Sequence, residues 1–160
     1  MVNVTEKKHR LPLRNYCGTV RISFTICIND HFPVFVDSKI VDLFVSILSA
    51  TTKKHSCVNW AYIFMPDHVH IVLEGTKECS NLWKAVVLFK QKTGYWFSKN
   101  LPRVQWQKDF YDRIHRHEDE LLNHILYVIN NPVRKGIVKH WREYRFKGSL
   151  DNDLDAIVWG

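Results

Sequence analysis

The sequence predicts an α+β domain of ferredoxin-like order, β-α-β-β-α-β, with an antiparallel sheet and a further helix near the C-terminus. Three observations predict it. Residues alternate between apolar and polar from Thr19 to Ile28. Two later apolar segments meet across the short link Met65-Pro66-Asp67. Stretches of helical periodicity fall between the strands instead of following them as a block.

In chain order, Val20, Ile22, Phe24, Ile26 and Ile28 give the first strand one apolar face. Asp37 or Ser38 can cap a helix reaching about Lys53, with Ile40, Val41, Phe44, Ile47 and Leu48 on its buried stripe. Cys57 to Phe64 reads as a second strand and His68 to Gly75 as a third. The Pro-Asp link leaves no room for a crossover, so the two form a hairpin. Ser80 or Asn81 starts a helix carrying Leu82, Trp83, Val86, Val87 and Phe89, as far as about Phe97. Trp106 to Ile114 is the expected fourth strand. From Glu118 a last helix runs into Asn131, where Pro132 is expected to stop it. With both inner helices on one face, the other face of the sheet is expected to lie open for a ligand.

A length of 160 residues without linker or repeat suits a single domain, 1–160. No apolar run reaches the roughly 18 residues of a membrane span, and no apolar segment follows the early basic residues before Pro12. The expectation is a cytoplasmic protein with no membrane partner. Cys17, Cys27, Cys57 and Cys79 form no C-x-x-C pair and read as buried structural thiols. The net charge of +7 is uneven. A basic N-terminal arm, about 1–15, holds Lys7, Lys8, Arg10 and Arg14. An extension, about 133–149, interleaves Arg134, Lys135, Lys139, Arg142, Arg145 and Lys147 with Trp141, Tyr144 and Phe146. Cations for phosphates and rings for base stacking suit nucleic acid. Lys90, Lys92 and Tyr95 are further candidate contacts.

In MPDHVHIVLEG, Val69, Ile71 and Leu73 take the core face, so His68 and His70 share the other with Val72 and Glu74. Imidazoles two residues apart on a strand can converge on one cation and leave coordination positions open. Alone, the pair reads equally as two half-exposed strand histidines. In EDELLNHILYVINNP, Glu120, His124, Tyr127 and Asn131 recur at helical spacing along one side. Tyr127 can serve as a nucleophile, and Asn131, or else His124 or Glu120, can supply a third ligand. An amphipathic edge tyrosine and a helix-stop asparagine account for the same letters.

M-P-D-H-V-H resembles the histidine–hydrophobic–histidine (HUH) motif of single-tyrosine transposases. W-Q-K-D-F-Y-D-R-I and Y-V-I-N-N-P-V-R-K-G-I-V resemble the REP-associated members of that family, in the family's order, from about Tyr16 to Ser149. The resemblance implies the HUH endonuclease fold, with the nucleophile on the C-terminal helix, and Tyr127 as that nucleophile. It implies His68, His70 and Asn131 as ligands of Mg²⁺ or Mn²⁺, and single-stranded DNA, cut near REP-like hairpins through a 5′-phosphotyrosine, as substrate. Relatives work as monomers or homodimers. Two other readings remain: a nucleic-acid-binding module of this fold without chemistry, and a zinc metallohydrolase using His68, His70 and His124, which lacks a general-base carboxylate at a recognisable spacing, Glu74 being the only nearby candidate on the strand.

Overall fold

A computed structural model of the chain describes residues 11–159. Lys7, Lys8 and Arg10 of the basic arm lie outside the described residues; Arg14 sits in a short turn at Leu13–Tyr16. The elements are β1 (Arg21–Cys27), α1 (Ser38–Lys54), β2 (Cys57–Met65), β3 (His68–Gly75), α2 (Leu82–Asn100), β4 (Tyr111–Ile114), α3 (Glu118–Ile129), α4 (Asn131–Arg134), β5 (Lys147–Gly148) and α5 (Leu154–Trp159). The strands form one antiparallel sheet in the order β4-β1-β3-β2-β5. This is the expected ferredoxin-like order with a two-residue strand added at the β2 edge.

Local chemistry sets the boundaries. The Asp37 carboxylate accepts from Lys39 N at 2.8 Å and caps α1; the Asn81 amide oxygen accepts from Lys84 N at 2.9 Å and caps α2. Ile22, Phe24 and Ile26 of β1 and Val69, Ile71 and Leu73 of β3 are fully buried beneath Phe44 and Leu48 of α1 and Val86 and Phe89 of α2. At roughly 1.5–3 kcal/mol for each such side chain, this layer is the main source of cohesion.

Four expectations are corrected. The second sheet face is not open: α3 lies on it, and Leu121, Ile125 and Ile129 pack on Ala61 and Val72, with Trp141 closing the cluster. β2 is therefore apolar on both sides, as a strand covered by two layers must be. Second, Pro132 does not stop the last helix. That helix ends at Ile129, Asn130 forms the joint with φ −85° and ψ 0°, and Pro132 lies in the first turn of α4, where its missing N–H costs nothing. Third, the strand expected from Trp106 is shorter. Trp106 makes a single bridge to Ile28, and regular pairing begins at Tyr111. Fourth, the cysteines are not buried as a set: only Cys57 is, while Cys17 and Cys79 are exposed and Cys27 is half-buried, and all four are free. Among the described residues no helix is long and apolar enough to cross a membrane.

Candidate functional site

The site forms where the start of β3 meets the α3–α4 joint. Alternation along β3 turns Val69 into the helix-covered core and leaves His68 and His70 on the α3 side. Their rings stand 4.9 Å apart, nearly perpendicular, at 89°. Each Nδ1 is engaged from behind. His68 Nδ1 is 2.7 Å from Asp67 Oδ1, and His70 Nδ1 is 2.9 Å from Thr25 Oγ1 on the neighbouring strand. Asp67 also holds His31 at 3.1 Å. Protons on both Nδ1 atoms satisfy these partners and leave both Nε2 lone pairs free.

Those lone pairs converge on Asn131. Its amide is 3.3 Å from His68 Nε2 and 3.2 Å from His70 Nε2. With Nδ2 inward, the amide donates to both rings; a half-turn of the amide brings Oδ1 to the same point. Two imidazole nitrogens and one amide oxygen, with carboxylate and hydroxyl support behind the rings, are a donor set that fits a divalent cation with open positions. Asn131 is only 8% exposed, and Pro132 beside it is buried too.

The electrostatics hold His70 in its neutral form. Burial, then the charges of His68, His124 and Arg134, push His70 down to about 3. Burial by itself raises Asp67, but its hydrogen bonds and charge contacts with His68 and His31 outweigh that and hold it below the usual carboxylate range.

Tyr127 stands differently from Asn131. It is 60% exposed on α3, and among the described residues its hydroxyl takes no hydrogen bond. Its ring carries the Arg134 guanidinium at 3.7 Å and faces the His124 ring at 6.4 Å. His124 lies 4.7 Å from the His115 ring, and no three of His, Cys, Asp or Glu converge as a metal cluster among the described residues. The three-histidine zinc site is therefore not assembled. Glu74, the one nearby candidate for a base, is also occupied, because it accepts from Trp60 Nε1 at 2.7 Å and pairs with Arg21 at 3.2 Å. Glu120 reaches back to Arg116 N at 3.3 Å, at the entry of α3.

The candidate nucleic-acid contacts divide. Lys90 donates to the carbonyls of Gln107 and Lys108 at 2.8 and 3.0 Å, so its ammonium pins the loop before β4. Lys92 and Tyr95 are exposed, with Lys99 over the Tyr95 ring, but α2 covers the sheet face opposite the histidine pair. Lys135 and Arg145 are exposed. Arg142 pairs with Asp155 at 3.0 Å and lies over Trp141 and Trp159, so the acidic tail engages part of the basic extension. His31, Asp67, Thr25 and His115 went unread in the sequence. The Asp of P-D-H was the one available signal.

A family model described as Transposase IS200 like matches residues 18–118. The chain is 24% identical over 151 residues to a provisionally named REP-associated tyrosine transposase of Haemophilus influenzae, covering 86% of this chain and 85% of that one. It is 29% identical over 105 residues to a REP-associated tyrosine transposase of Escherichia coli, 62% of this chain and 60% of that one. A solved REP-associated tyrosine transposase bound to a REP hairpin superposes with a TM-score of 0.73 at 17% identity, covering 86% and 81% of the two chains.

Proposed function

The chain belongs to the transposase IS200-like family, a family of enzymes, and we propose that it cuts and rejoins single-stranded DNA through a 5′-phosphotyrosine on Tyr127. One observation carries the reading. His68, His70 and Asn131 converge within 3.3 Å, and Tyr127, in the last turn of α3, lies just across the Asn130 joint from Asn131.

In this chemistry the Tyr127 hydroxyl oxygen attacks the scissile phosphorus. The P–O3′ bond breaks, its electron pair leaves with the 3′ oxygen, and the phenol proton is balanced by the one the 3′ oxygen takes up. Attack of a 3′-hydroxyl on the phosphotyrosine reverses the exchange and joins a new strand, so no nucleotide cofactor is consumed. A divalent cation held by His68, His70 and Asn131 would polarise the phosphate and stabilise its developing charge, Mn²⁺ matching imidazole better and Mg²⁺ being more available. Asp67 and Thr25 fix the ring orientations, and burial keeps His70 unprotonated. Hairpin DNA is the proposed substrate because a structural neighbour is bound to a REP hairpin. The proposed place of action is the cytoplasm. Exposed Lys135 and Arg145 suit the phosphates.

The test is incubation with single-stranded hairpin DNA and Mn²⁺. A denaturation-resistant protein–DNA adduct that disappears in Tyr127→Phe supports the reading. Salt-sensitive binding with no adduct, unchanged by Tyr127→Phe, supports a binding module instead.

A further inference from the structure

Tyr127 is the most exposed member of the proposed site, and an exposed phenol turns freely about two side-chain torsions. Attack on phosphorus needs its oxygen held in line, and a displacement of about 1 Å can cost on the order of a hundredfold in rate. Two side chains remove that freedom.

Arg134 approaches from the C-terminal side of the chain. Its guanidinium carbon lies 3.7 Å from the Tyr127 ring centroid, and Nη1 donates to the Tyr127 carbonyl at 2.6 Å. The same residue is thus stacked on the ring and tied to its backbone across the Asn130 joint. His124, one turn before Tyr127, faces the ring at 6.4 Å with 29° between planes. Behind His124 stands the buried ring of His115, 4.7 Å away, whose Nε2 is 3.0 Å from Ser23 Oγ. Ser23 and Thr25 share one face of β1, and Thr25 orients His70. One strand therefore registers both the histidine pair and the stack that ends on Tyr127. His115 Nδ1 is buried with no partner among the described residues, a cost tolerated where the ring's position has a use.

We infer that His124 and Arg134 are positioning residues that clamp the Tyr127 ring, with His115 and Ser23 as the anchor of that clamp on β1. Planarity is what both clamp members supply. A guanidinium stacks flat on a phenol as an ammonium does not, and an imidazole offers a flat face on the other flank in sequence. Burial, then His115 and Arg113, hold His124 down to about 4, so at neutral pH it is uncharged and does not repel the arginine sharing the ring. The charge of Arg134 serves the clamp as well as any phosphate nearby.

The catalytic consequence rests on the proposed role of Tyr127; the clamp itself does not. Two measurements on the full chain separate them. With 3-fluorotyrosine at position 127, the ¹⁹F resonance is expected away from that of free fluorotyrosine. It should move toward the free value in His124→Ala and in Arg134→Lys, and return in His124→Phe. A wild-type resonance already at the free value, unmoved by either variant, overturns the clamp. In adduct formation on single-stranded DNA with Mn²⁺, at saturating DNA, His124→Ala and Arg134→Lys are expected to slow the step on the order of tenfold. His124→Phe should recover to within about threefold of wild type, because its flat ring is retained. An Arg134→Lys variant as fast as wild type, or a His124→Phe variant as slow as His124→Ala, overturns the inference. If wild type forms no adduct while the fluorine shifts behave as expected, the nucleophile assignment falls and the clamp stands.

Discussion

The amide of Asn131 lies 3.2 Å from Nε2 of His70, although 61 residues separate them in sequence. Neither residue has another means of reaching the other: β3 fixes one and the α3–α4 joint fixes the other. Asn131→Leu is therefore expected to weaken Mn²⁺ binding at least about tenfold, and Asn131→Asp to strengthen it by adding a formal charge. Isothermal titration of the apo protein with Mn²⁺ reads both.

Tyr127→Phe should abolish the covalent adduct and leave folding unchanged, because the hydroxyl is exposed and holds no hydrogen bond among the described residues. Thermal melts of the two proteins are expected to coincide, with hairpin affinity within about twofold.

Ile125 is fully buried between α3 and the sheet, beneath the segment that delivers Asn131. Ile125→Ala is expected to cost about 2–5 kcal/mol in urea unfolding. A loss of Mn²⁺ affinity should accompany it even though Ile125 touches no ligand.

Lys90→Met should lower stability by roughly 1 kcal/mol, since it removes the donor to two loop carbonyls. Hairpin affinity should stay level in the same variant. A matched fall in affinity with no loss of stability would return Lys90 to the DNA surface.

His124 has a folded-state pKa of about 4 against an ordinary value of 6.5. Between those values the unfolded chain binds the extra proton, so stability is full above 6.5 and is lost as pH falls toward 4. Urea midpoints measured from pH 7 to 4.5 should decline, and His124→Phe should flatten part of that decline.

Much of this was legible because it is local. Alternation placed Phe24, Val69 and His70 on their correct faces, and the pair Ser80-Asn81 marked the start of α2, Asn81 proving to be the cap. The link at Pro66 implied the hairpin. What depended on distant packing was not legible. Pro132 reads as a stop from its neighbours, yet it begins a new turn once Asn130 bends the chain. Ala61 and Val72 gave no sign that a second layer would cover them, because that layer is supplied much later in the chain by Leu121 and Ile125. Lys90 looked like a surface charge because carbonyl acceptors in a loop leave no trace in residue letters. The histidine pair was visible; its supports Thr25 and Asp67 are ordinary residues whose role exists only in space.

The single-residue joint at Asn130 makes the count between Tyr127 and Asn131 incompressible. Each helical residue turns the chain by about 100°, so one inserted or deleted residue there would swing the phenol out of phase with the amide by more than a quarter turn. Substitution at the intervening positions 128–130 is a question of packing, whereas a change of length would part the two proposed roles altogether.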